Sequence, residues 1–274
     1  MKFSATITLQ YDTPFSPFSA NQWEEAISWT KECNLDGVEI CISHYNDLDI
    51  GKLKNKLDAY SLGCSTISTG QARGIENISL LHDEKQAYQA AQQRLKQHID
   101  AASVLGSAVT IGLLRGLGKN EHKEQQKRIL AERMEPIAEY AEKKGITIIL
   151  EPINRYETAL LNSAEDTLDF ITNYLGNPSR VKVLWDVFHA NIEDPSFDDA
   201  IEILQSKLYH VHLADSNRMF PGYGHINFEH IIQKLTKSGF NSYLSFECLN
   251  LPSVDIVRSH TGPFVENLRS IAHR

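Results

Sequence analysis

The sequence has few cysteines and no long apolar run. Only four of its 274 residues are cysteine, namely Cys33, Cys41, Cys64 and Cys248, and no two form a CxxC pair. We therefore expect reduced thiols in a protein core rather than disulfides. The most apolar stretch, residues 101–114, is broken by serine, threonine and glycine, and is too short and polar to span a bilayer. The amino-terminal residues alternate polar and apolar side chains, so we expect no signal peptide and a cytoplasmic protein.

Positive charge is also scarce. Lysine and arginine total 27 against 35 aspartate and glutamate residues, which gives a formal net charge of −8. This balance argues against a nucleic acid or an anionic membrane as partner, because both attract basic surfaces. The composition, 42% hydrophobic and 23% charged, is that of a globular protein and excludes disorder.

Short β-branched runs alternate with amphipathic helical segments along the whole chain. This alternation predicts parallel strands in βα units, and eight units close into a single (β/α)₈ TIM barrel, with residues 1–274 as one domain. An open doubly wound sheet is the alternative, but no GxGxxG follows the first strand. The predicted strands are residues 3–9, 37–42, 64–68, 108–112, 147–150, 181–185, 208–213 and 243–246. The predicted helices include residues 52–60, 84–105, 121–144, 164–175, 197–205, 228–238 and 254–272.

Four consecutive predicted strands each end in a potential metal ligand, namely Glu151, Asp186, His212 and Glu247. A lone carboxylate at a strand end is commonly just solvated, but a barrel brings these four ends together, and three carboxylates would repel one another. A divalent cation would neutralise them. Carboxylate oxygens with one imidazole suit Mn²⁺, the ion we expect, with Co²⁺, Mg²⁺ or Zn²⁺ as alternatives. His210 shares a strand face with His212, and the sequence leaves it as a core residue or a support for the ligands.

The motifs around these residues resemble the xylose isomerase-like TIM barrels, and most closely the ketose 3-epimerases of the D-tagatose/D-psicose 3-epimerase type. They are Glu151-Pro-x-Asn-Arg-x-Glu157-Thr, Asp186-x-x-His189, His212-x-x-x-Ser-Asn-Arg218-x-x-Pro-Gly-x-Gly and Glu247. The resemblance implies one metal held by the four strand-end residues. It further implies that Glu157, His189 and Arg218 hold the oxygens of a small sugar; a loop salt bridge to Asp215 or Glu193 is the alternative role for Arg218.

The implied reaction is epimerisation at C3 of a ketose through a metal-stabilised enediolate, with Glu151 and Glu247 as the acid and base on opposite faces. A dehydratase of the inosose or dehydroshikimate type would use the same ligands, and an aldose–ketose isomerase of the hydroxypyruvate type is a further alternative. A non-catalytic sugar-binding barrel also stays open. A multi-zinc endonuclease is disfavoured, because the third and fourth strand ends carry no histidine. The resemblance leaves open a homo-oligomer, either a dimer or a tetramer.

Overall fold

A computed structural model describes residues 1–272 as a closed barrel of eight parallel strands. The strands follow chain order around the barrel, β1 pairing with both β2 and β8. All eight predicted strands are confirmed, and the (β/α)₈ fold with them. The strands are β1 Lys2–Thr8, β2 Gly37–Cys41, β3 Gly63–Ser68, β4 Ala108–Ile111, β5 Ile148–Leu150, β6 Val181–Asp186, β7 Leu208–Leu213 and β8 Tyr243–Phe246.

Helices fill the connections between the strands. The predicted helix over residues 164–175 begins as expected at the N-cap Ser163, whose hydroxyl accepts from the Asp166 amide, but its second half, Phe170–Tyr174, has π-helical geometry. Gly106 and Gly145 end two long helices in the left-handed conformation that glycine adopts at least cost. The α-helices are α1 Trp23–Glu32, α2 Ile50–Ala59, α3 Gly70–Glu76, α4 Lys85–Leu105, α5 Lys123–Lys144, α6 Ala164–Asp169, α7 Val187–Glu193, α8 Phe197–Leu204, α9 Phe228–Lys237 and α10 Val254–Ala272.

The main hydrophobic core lies between the barrel wall and the helices. In β1 the apolar residues Phe3, Ala5 and Ile7 belong to this core, while the intervening Ser4 and Thr6 are buried polar residues on the other face. This period of two is what a strand with one apolar face requires. Trp185 also belongs to this core and is 1% exposed.

The inside of the barrel contains both apolar and polar side chains. Ala108, Ile149 and Leu184 form a small apolar cluster separate from the main core. Elsewhere the interior is polar and only some of its groups are paired: the Ser4 hydroxyl donates to Ser65 across 3.1 Å, whereas the buried Thr6 and Ser245 hydroxyls have no hydrogen-bond partner.

The four cysteines are buried and unpaired, as the sequence predicted. Burial raises the pKa of the Cys248 thiol to about 12, which keeps it protonated and unreactive. Within residues 1–272 there is no helix with both the length and the apolar character needed to cross a bilayer.

Candidate metal centre

Strand register brings the four predicted ligands to one place. Asp186 and His212 are direct partners in the β6–β7 ladder, and Glu151 and Glu247 are the residues immediately after β5 and β8. Because all strands are parallel, these residues share the carboxyl-terminal mouth of the barrel. One ligand atom from each of the four lies within 4.8 Å of those of the other three.

Two of the atoms facing the middle of this cluster lack hydrogen-bond partners. His212 Nδ1 lies 3.3 Å from Glu247 Oε2, 3.6 Å from Glu151 Oε1 and 3.8 Å from Asp186 Oδ2. His212 Nδ1 and Asp186 Oδ2 are both buried with no hydrogen bond. Orphaned buried polar atoms are costly unless something else binds them. An imidazole nitrogen and three carboxylates fit a divalent cation, so the residues present suit the predicted metal.

The electrostatics of the cluster point the same way. Burial, reinforced by the Glu247 carboxylate, raises the pKa of Glu151 above its ordinary value. Burial also opposes ionisation of Asp186, but His189 and His212 outweigh it and lower the pKa of Asp186 to about 2. Of these carboxylates it is Glu151 that resists ionising beside Glu247, and a cation among them would remove that cost.

A glycine makes room for the Glu151 carboxylate. A Cβ at Gly112, just after β4, would lie 2.5 Å from Glu151 Oε2. A side chain at this position would push the Glu151 carboxylate aside, so glycine at the β4 end leaves the space that this carboxylate occupies.

The three residues predicted to hold sugar oxygens line the space beside the cluster. Glu157, His189 and Arg218 share a cavity of about 330 Å³ with Glu151 and Glu247. His189 is 2% exposed, and its Nε2 lies 3.7 Å from Asp186 Oδ2. The volume is at the lower end of the range for small-molecule sites.

Asn154 orients two of these residues, a role that the sequence analysis did not assign. Its Oδ1 accepts from the Tyr156 amide, so its Nδ2 is the donor that contacts both Glu157 Oε1 at 3.0 Å and His189 Nδ1 at 2.7 Å. Neutral His189 therefore accepts on Nδ1 and carries its proton on Nε2, which faces the cluster. The Asn in the Glu151-Pro-x-Asn motif was the available signal.

Arg218 faces the cavity rather than a distant loop. Its guanidinium lies between the rings of Phe15 and Phe188, 4.6 Å and 5.0 Å from their centroids, and donates to Glu157 Oε1 at 2.9 Å. Burial opposes its charge, but Glu247 and the other carboxylates outweigh this and raise the pKa of Arg218. The alternative partners are engaged elsewhere: Glu193 pairs with Arg155, and Asp215 accepts backbone amides of its own loop.

The first half of the chain supplies one wall of the cavity, which the sequence analysis did not identify. Tyr11 and Phe15 come from the loop after β1, and Gln71 from α3. Gln71 is held by a hydrogen bond of 2.6 Å from its Nε2 to the Tyr11 carbonyl. No charged motif marks these positions, because aromatic and amide side chains are common in any loop.

Glu39 is a further residue that the sequence analysis did not identify. It is the middle residue of β2, is completely buried, and contacts His210 and His212 inside the barrel. Burial opposes its charge, but the two imidazoles outweigh this and lower the pKa of Glu39. The feature of the sequence that could have identified Glu39 is a carboxylate in the middle of an otherwise uncharged strand. His210, left open by the sequence, is thus a hydrogen-bonding residue of the interior.

The structure is thus a (β/α)₈ barrel that carries, at the carboxyl ends of its strands, a carboxylate–histidine cluster that could hold a divalent cation. Comparison with known families agrees with this class. The chain belongs to the xylose isomerase-like TIM barrel family, whose model matches residues 27–268.

Within that family the chain is similar to ketose 3-epimerases. It is 30% identical over 238 residues to the L-ribulose 3-epimerase of Mesorhizobium japonicum, covering 86% of this chain and 78% of that protein. It is 37% identical to the D-psicose 3-epimerase of Ruminiclostridium cellulolyticum over 116 residues, 42% of this chain and 39% of that protein. A solved structure of an L-ribulose 3-epimerase superposes with a TM-score of 0.85 at 26% identity, covering 100% of this chain and 96% of the other.

Proposed function

We propose that this protein is a metal-dependent sugar epimerase that inverts C3 of a free ketose. The observation that carries the proposal is the convergence of Glu151, Asp186, His212 and Glu247, whose ligand atoms lie within 4.8 Å of one another. The names of the relatives, L-ribulose 3-epimerase and D-psicose 3-epimerase, support the reaction class.

The four side chains of the cluster would hold one divalent ion, for which Mn²⁺ is our choice. When bound, such an ion acts as a Lewis acid toward the oxygens of a ketose and makes the neighbouring carbon-bound proton more acidic. Asp186 is suited to a purely anionic ligand role, because its pKa lies at about 2.

Glu151 and Glu247 would move the proton. They follow different strands, β5 and β8, and so reach the cluster from different sides of the barrel. Inversion at C3 needs a base on one face of the carbon and an acid on the other. The raised pKa of Glu151 favours its protonated form more than that of an ordinary carboxyl, as an acid/base group requires.

Three further residues would orient the sugar. His189 offers its Nε2 proton, and Arg218 its guanidinium, to sugar oxygens, while the Glu157 carboxylate accepts from a hydroxyl. Glu157 Oε1 already accepts from Arg218 and Asn154, which fixes its direction. Holding the substrate in one orientation is what confines exchange to one carbon.

The test is incubation with Mn²⁺ in D₂O with free ketoses, ketose phosphates and inososes, followed by NMR. We expect deuterium at C3 of a free ketohexose or ketopentose, with an inverted product. Label at C1 or C2 with an aldose product would instead indicate an isomerase, and loss of water a dehydratase. Either result, or activity confined to phosphorylated ketoses, would contradict the proposal.

Two variants test the acid/base pair. Glu151→Gln and Glu247→Gln should each lower kcat by about 10²–10⁴-fold while changing substrate affinity less, because positioned proton transfer contributes that much. Glu165→Gln, on the exposed first turn of α6, is the matched control and should retain wild-type turnover. Near-wild-type turnover in Glu247→Gln would refute the two-carboxylate inversion.

A further inference from the structure

Glu39 is a carboxylate buried below the candidate metal centre. It has no exposed surface, and its Oε2 lies 3.1 Å from His210 Nε2 and 3.0 Å from His212 Nε2. Its other oxygen is 3.2 Å from the same His212 nitrogen. An ionised carboxylate only accepts hydrogen bonds, so both imidazoles must carry a proton on Nε2 to make these contacts.

That requirement decides which nitrogen of His212 is free. A neutral imidazole carries one proton; with it on Nε2, the Nδ1 lone pair is left for a metal. Nδ1 is the atom that faces Glu151, Asp186 and Glu247 at 3.3–3.8 Å and has no hydrogen bond. The opposite tautomer would set the Nε2 lone pair against a carboxylate oxygen at 3.0 Å.

We propose that Glu39 is a positioning residue of the metal centre: it accepts the Nε2 proton of His212 and so fixes the tautomer and ring orientation that present Nδ1 to the metal. His210 donates to the same carboxylate oxygen. The inference rests on the metal site of the proposed function, but not on the sugar or the reaction. Partners of this kind orient metal-bound histidines and raise their basicity.

A second metal between Glu39, His210 and His212 is a weaker explanation of the same contacts. Their ligand atoms also lie within 4.8 Å of one another. However, His212 would then bind metal through both nitrogens and would have to lose both protons to become an imidazolate. The separations of 3.0 and 3.1 Å are those of ordinary hydrogen bonds.

The experiment measures the affinity for Co²⁺ and Zn²⁺ alone, without sugar, by competition with a chromophoric chelator. Glu39→Gln keeps the shape but can place an amide donor against the His212 Nε2 proton, and Glu39→Leu removes the acceptor. Both should bind metal about 10–100-fold more weakly than wild type, at one ion per chain.

Ser65→Ala is the matched control. Its hydroxyl donates to the Val38 carbonyl, one residue from Glu39, and accepts from Ser4, so its loss disturbs the same interior without reaching His212. Metal affinity within about twofold of wild type is expected here. Wild-type affinity in both Glu39 variants, or an equal loss in Ser65→Ala, would overturn the inference.

A second measurement uses the wild-type protein and so does not depend on the variants folding. In the Zn²⁺-loaded, ¹⁵N-histidine-labelled protein, long-range ¹H–¹⁵N NMR should find one imidazole with a metal-shifted Nδ1 and a protonated Nε2. Coordination of His212 through Nε2 would overturn the inference while leaving a metal site in place. A wild-type protein that binds no metal would overturn both this inference and the proposed function.

Discussion

His98 should make the protein lose stability in mild acid. This residue lies in α4, is completely buried, and its Nδ1 is 2.6 Å from the Tyr45 hydroxyl. Burial, with a smaller contribution from Arg94, lowers the pKa of His98 to about 3. In the unfolded chain the pKa of a histidine is about 6.5. Between these values the unfolded chain binds a proton that the folded chain does not.

Proton linkage gives the sign and the size of the change in unfolding free energy that His98 causes between neutral pH and pH 5. A depressed folded pKa gives stability that is fully present above the unfolded value and is lost as the pH falls toward the folded one. At pH 5 the unfolded state gains RT ln(1 + 10^1.5), about 2 kcal/mol, relative to pH 7.5 or above. His98→Gln removes the proton site, so this contribution should disappear from the variant.

The assay is urea denaturation at pH 7.5 and pH 5, followed by tryptophan fluorescence with chelator present throughout. The difference in unfolding free energy between wild type and His98→Gln should shift by about 2 kcal/mol in favour of the variant at pH 5. The exposed His122, replaced by Gln, is the control and should keep the wild-type pH dependence. A difference that stays constant between the two pH values would show that His98 does not cause the loss of stability in acid.

Three further predictions concern the site and its support. Chelation should abolish activity and lower Tm, and added Mn²⁺ or Co²⁺ should restore both. The reason is that an ion present at 100 times its Kd stabilises the folded state by about 2.7 kcal/mol. Full activity in metal-free protein would contradict this prediction. Glu157→Gln weakens the 2.9 Å contact with Arg218, and should raise KM about tenfold and leave kcat nearly unchanged in steady-state assays. A lowered kcat with an unchanged KM would instead place Glu157 in the chemical step. The buried Arg115 binds three backbone carbonyls of the loops after β4 and β5. Arg115→Met should therefore lower the free energy of unfolding, measured by urea denaturation, by roughly 3 kcal/mol. The control is Arg128→Met at an exposed position, and an equally large effect there would contradict the prediction.

The barrel itself could be predicted from the sequence because its signals are local. Each strand is a short apolar or alternating run, and several helices have a capping residue or a terminal glycine at one end, such as Ser163 before α6, Gly106 after α4 and Gly145 after α5. Eight βα units with parallel strands can then form few architectures other than a closed barrel. The four strand-end residues were predictable for the same reason, since barrel topology alone carries their side chains to one mouth.

Contacts between residues far apart in the chain could not be predicted from the sequence, because they depend on the complete fold. Glu39 and His212 are 173 residues apart and meet inside the barrel, a pairing that depends on how strands on different sides are staggered. Tyr11 and Gln71 reach the cavity through loop conformations that no short motif encodes. Which strand ends carry charge is already visible in the amino-acid sequence. The folded structure decided which imidazole nitrogen faces the carboxylates and which uncharged side chains complete the cavity, because long-range packing sets both.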